Sequence, residues 1–153
     1  MQDEQRKLRQ LQAAIRLRVI QREKAQSSYE RSRREVLQAE RLLGDEQARY
    51  QAIQAGFEAL GRSGVALDPA LHEQRLLAQT AAYFQLETRH RAFGEAQHVS
   101  QAAKAQWLKC KVDEELVDKA RKRVEDVLEL AVLGLETIDI FDAQQARGAG
   151  HGR

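Results

Sequence analysis

GRSGVALDP, residues 61–69 of a chain of 153, decides the fold. Gly61 and Gly64 are free to take the positive φ that other residues avoid. Asp68 followed by Pro69 has the form of a helix N-cap and first helical residue. Pro69 is the single proline, and no other stretch carries a comparable turn signal. The chain therefore reads as two long helices joined once, the first over about 2–60, the turn over 61–68 and the second over about 69–142. A short turn makes neighbouring helices antiparallel. The expected fold is all-α, two long helices in an antiparallel coiled-coil hairpin, with residues 1–147 forming one domain and 148–153, rich in glycine, a disordered tail.

Periodicity on the N-terminal side of the turn supports this. Steps of seven from Leu8 land on Ile15, Arg22, Tyr29, Val36, Leu43, Tyr50 and Phe57, so that seven of eight positions are apolar or aromatic. The series three residues on runs Leu11, Arg18, Ala25, Ser32, Ala39, Glu46, Ile53 and Leu60, with five apolar. A period of seven held over so many turns keeps one seam towards one partner and implies a left-handed coiled coil. Beyond the turn a less regular seam follows: Ala82, Arg89, Ala96, Ala103, Cys110, Val117, Val124, Ala131 and Ile138, interleaved with Leu86, Phe93, Ser100, Trp107, Glu114, Arg121, Leu128 and Leu135.

A turn centred between residues 64 and 65 places opposite each other residues whose numbers total about 129. Tyr50 then faces the region of Gln79, Leu43 that of Leu86, Val36 that of Phe93, and Arg22 that of Trp107, on which its guanidinium could stack. With the first helix starting near Gln2, the second outruns it by about residue 127 and the apolar stretch AVLGLETIDIF, residues 131–141, overhangs. Gly134 within it costs about 1 kcal/mol of helix stability relative to alanine.

Composition bounds the function. Charged residues make up 31% and aromatics 5%, the bias of long helices that bury one stripe each. The net charge is only +2, but Arg6 to Arg34 holds ten basic residues against two acids, a surplus that points to a partner for the first helix. A lone cysteine, Cys110, forms no internal disulfide and suits a reducing compartment. The N-terminus has no apolar signal core and no run suffices to span a membrane, so a soluble cytoplasmic protein is expected, without membrane insertion. His72, His90, His98 and His151 are scattered, with no second ligand at i+3 or i+4. No phosphate-binding glycine motif occurs, and Cys110 has no base beside it in sequence. No catalytic residue, metal or cofactor is expected, and an enzyme is the least favoured class.

Three surfaces carry surplus charge or surplus apolar area. The basic face of the first helix offers Arg9, Arg16, Arg18, Arg22 and Lys24, against a bland reading as a solvated face. Early in the second helix, Leu76, Leu77, Tyr83 and Phe84 exceed what one seam can hide, and an exposed apolar patch marks contact with another protein unless the seam widens there or two rods pair as a dimer. Leu133, Leu135, Ile138, Ile140 and Phe141 make the overhang amphipathic, a segment that folds back, stays partly disordered or, on the favoured reading, docks in a partner's groove.

A basic first helix from the start, one glycine-containing turn, a lone Trp107 in AQWLKCKVDEELVDKARKR and a second helix overshooting its partner form a layout that resembles the small stalk proteins of bacterial type III secretion. These are the YscO/HrpO-like injectisome proteins and their flagellar counterpart FliJ. The resemblance implies a fold similar to the central-stalk coiled coil of rotary ATP synthases. It implies a place at the inner-membrane secretion apparatus, linking the hexameric secretion ATPase to the cytoplasmic part of the export-gate membrane protein, and binding of export chaperones for recycling. On that footing the basic face and the overhang would enter the ATPase ring, and the apolar patch would meet gate or chaperone. Two other readings stay open. One is a generic cytoplasmic coiled-coil adaptor or spacer. The other is a nucleic-acid-binding coiled coil using residues 6–34, although the aromatic interleaving of a single-strand platform is missing and no nucleic acid is expected.

Overall fold

The computed structural model describes residues 1–150, and these form two helices, α1 (Gln2–Arg62) and α2 (Pro69–Gly150), packed against each other as an all-α helical hairpin. Within the turn Gly64 takes a φ of 68°, the left-handed conformation that suits a residue without Cβ. Just before it the Ser63 amide donates to the Ala59 carbonyl at 3.1 Å and its hydroxyl to the Leu60 carbonyl at 2.8 Å, closing α1. Gly61 is absorbed into α1, which ends two residues beyond the expected Leu60. Asp68 caps α2 as expected: its Oδ1 accepts from the Ala70 amide at 3.1 Å, and Pro69 occupies the first helical position.

At its far end α2 runs to Gly150, past the expected stop near 142. Residues 143–147, AQQAR, are good helix formers with nothing to break the pattern. Of the expected disordered tail, residues 148–150 are the last of α2, and 151–153 lie outside the described residues.

The described residues fall into two compact units, both drawn from α1 and α2. The turn unit is Ala25–Trp107, and the end unit joins Met1–Lys24 to the chain from Leu108 onward.

In the turn unit the core is that seam. Ala25, Leu43 and Ala82 are buried together with the polar Ser32 and Glu46, and among the described residues no large side chain is fully enclosed. Ser32 satisfies its hydroxyl locally by donating to the Tyr29 carbonyl at 2.7 Å. Tyr29 and Trp107 stack at 5.6 Å between centroids, Tyr50 meets Tyr83 at 6.3 Å, and Phe57 stands edge-on to His72 at 6.1 Å. Pairs of this kind contribute about 0.5–1.5 kcal/mol beyond their burial.

These contacts correct the expected register. Phe57 and His72 keep the total of 129, but Tyr50 pairs four positions past Gln79, and Tyr29 meets Trp107 rather than the region of Ser100. The offset from the expected partner grows away from the turn, from none at Phe57 to one helical turn at Tyr50 and two at Tyr29, more than the extension of α1 to Arg62 accounts for by itself.

In the end unit, burial follows the expected heptads: Leu8, Leu11, Ile15 and Arg18 on α1 and Cys110, Glu114, Val117, Arg121, Val124, Leu128 and Ala131 on α2 are all half-buried. From Val132 onward every described residue is exposed. The overhang therefore starts four residues later than expected, again by one turn.

Candidate partner-binding surfaces

The basic face of α1 is split by its own geometry. Arg9, Arg16 and Lys24 lie on the outer face and are exposed. Arg18 and Arg22, on heptad seam positions, turn towards α2: Arg22 Nε donates to Glu114 Oε2, and Arg18 Nη1 lies 3.8 Å from Asp113 Oδ2 and donates to Gln21 Oε1 at 3.1 Å. Farther along α1, the Arg33 Cζ lies 5.8 Å from the centroid of the Tyr29 ring. Arg18 and Arg22 are thus engaged with α2, while Arg9, Arg16 and Lys24 point outward.

The apolar patch stands out from α2 as expected. Leu76 and Tyr83 lie a heptad apart, as do Leu77 and Phe84, and all four are exposed, Leu77 and Phe84 to about two-thirds. Phe84 packs edge-on against Tyr83 at 6.1 Å. The Tyr83 hydroxyl donates to Glu87 Oε1 at 3.1 Å, and that carboxylate raises the hydroxyl's pKa above its ordinary value by favouring the protonated form.

On the overhang, Leu133, Leu135, Ile138, Ile140 and Phe141 are each about half exposed or more, Ile140 to 61%. Leu135 and Ile138 continue the seam of Leu128 and Ala131 at the same spacing. Leu128, Val132 and Leu133 floor a shallow depression edged by Glu129 and Glu136.

Sequence reasoning missed two features. At the turn, Val65 and Leu67 are exposed above a hollow shared with Phe57, Leu60 and His72, and the alternation VAL within GRSGVALDP was the available signal. On α2, residues 124–146 hold six acids, Glu125, Asp126, Glu129, Glu136, Asp139 and Asp142, and no base. A running charge count along α2 would have found that segment.

Among the described residues no cluster of three His, Cys, Asp or Glu could hold a metal ion, and no helix is long and apolar enough to cross a membrane. Comparison with family models, with curated proteins and with solved structures finds no match to this chain.

Proposed function

We propose that this chain is a non-catalytic coiled-coil stalk of a type III secretion system, acting in the cytoplasm at the inner-membrane apparatus. Its role is to link the export ATPase ring to the export gate and to bind export chaperones for recycling. The observation that carries the reading is the end of α2: the heptad pattern continues through Leu135 and Ile138 while half-burial stops at Ala131. A seam continued into solvent is costly unless something covers it, since each large apolar side chain contributes about 1.5–3 kcal/mol on full burial. The overhang, with the exposed Arg9, Arg16 and Lys24, is the surface suited to the ATPase ring, and the Leu76–Phe84 patch suits gate or chaperone. A seam interrupted by Arg18, Arg22, Glu46, Arg89 and Glu114 also fits an element that binds and releases.

The test is co-purification from the native host through an affinity tag, at low and high salt, with bound proteins identified by mass spectrometry. Recovery of a hexameric secretion ATPase or a small helical export chaperone, lost when Leu135 and Ile138 or Leu77 and Phe84 are changed to serine, supports the stalk. Recovery of neither overturns it in favour of a cytoplasmic adaptor.

A further inference from the structure

The apolar surface of the overhang and its charge together define what would cover it. Leu128, Ala131, Leu135 and Ile138 follow one another at the three-and-four spacing along which α1 lies against the earlier part of α2, so the covering element that fits is a helix. Val132 and Leu133 extend the apolar floor to one side, and there Glu129 and Glu136 edge it. They are a heptad apart, about 10 Å along the helix, and Asp139, three residues beyond Glu136, continues the same flank. Among the described residues none of these three carboxylates has an ion-pair partner, whereas Glu125, nearer the paired segment, is held by Arg121 at 2.7 Å. A second copy would bring the same six acids and no base between residues 124 and 146, and like charges brought together oppose association.

We propose that residues 128–141 dock a basic amphipathic helix of a partner protein, its apolar side chains on Leu135, Ile138 and Val132, and its Lys or Arg residues, spaced a heptad apart, on Glu129 and Glu136. The proposal rests on the reading of the overhang as a docking element and names the chemistry of its occupant. Apolar contact supplies the affinity, and the acidic flank sets register and rejects helices of the same sign.

The probe is a labelled designed peptide of about 21 residues with leucine on its a and d positions and lysine flanking them, titrated with the whole chain and followed by fluorescence anisotropy. Its control carries glutamate in place of lysine. The expected result is binding of the lysine peptide at least about tenfold tighter than the control, narrowing as salt is raised. Glu129→Lys with Glu136→Lys should invert the preference, and Leu135→Ser with Ile138→Ser should abolish binding. All four positions are half-buried at most, so circular dichroism should show the helices intact in both variants. Equal binding of both peptides, binding of neither, or a preference unmoved by charge reversal overturns the proposal. So does sedimentation of the chain alone as a dimer that the Leu135→Ser, Ile138→Ser variant dissolves, since the occupant is then a second copy. Failure to recover an ATPase or chaperone overturns the secretion reading and leaves this one standing; failure of the peptide does the reverse.

Discussion

Leu128 and Leu135 sit one heptad apart on the same side of α2, in the same kind of apolar sequence, yet Leu128 is half-buried and Leu135 is 49% exposed. The difference is a helix lying alongside. Heptad spacing says which side chains can share a face, and a second element decides whether that face is covered. The paired seam is therefore a stability feature, and the continuing one a surface whose cost or use depends on a partner.

Four measurements break or sharpen that contrast. Leu43→Ala in the buried seam should cost about 2–3 kcal/mol in urea unfolding, at the low end for leucine truncations because the seam is thin. Leu135→Ala should change stability by no more than about 0.5 kcal/mol, and equal losses at the two sites would mean that the overhang is packed in solution. Glu46→Leu should raise stability by about 1 kcal/mol, because Glu46 is buried on the seam with its Oε2 lacking a hydrogen-bond partner among the described residues. A lower melting temperature would show that the carboxylate is held after all. Arg22→Ala, measured in a cycle with Glu114→Ala, should reveal a coupling of about 1 kcal/mol or less that shrinks with salt, since both side chains keep about a quarter of their exposure. A coupling insensitive to salt would count against an ion pair.

The smallest effect is a pH dependence in the end unit. Hydrogen bonds from Arg121 and Lys122 hold the Asp118 carboxyl below the usual carboxylate range. A depressed folded-state pKa stabilises above the unfolded-state value and is lost as pH falls through the folded one. Asp118→Asn should therefore flatten the acid side of the stability profile slightly and leave neutral pH alone. An unchanged acid limb would mean that the contacts do not persist in solution.

The two seams, the capped turn and the exposed Leu76–Phe84 patch were legible because each depends on residues near one another in sequence or on a fixed period. Asp68 and Pro69 specify their cap locally, and Ala25 and Leu43 announce their side of α1 by spacing alone. Register was not legible to better than two turns. The heptad pattern is unchanged when one helix slides along the other, so periodicity puts Tyr50 and Tyr29 on the seam without naming Tyr83 and Trp107 as their partners. The basic stripe divides along lines the spacing already carried: Arg18 and Arg22 fall on seam positions, where α2 supplies Asp113 and Glu114, whereas Arg9, Arg16 and Lys24 lie on the outer face. The six acids of the overhang were visible in the sequence and became meaningful once the helix beside them was seen to stop.

The capped turn at Ser63–Pro69 also bears on how the chain acquires its structure in time. Phe57 and His72 are close neighbours along the chain, whereas Arg22 and Glu114 are separated by 92 residues. The entropy lost in closing a loop grows with the logarithm of its length, so contacts beside the turn are the cheapest to make first. Every pair formed there shortens the loop left for the next, and assembly should run outward from Gly64 as a zipper. A chaperone or ribosome that delayed the turn would hold back both helices at once.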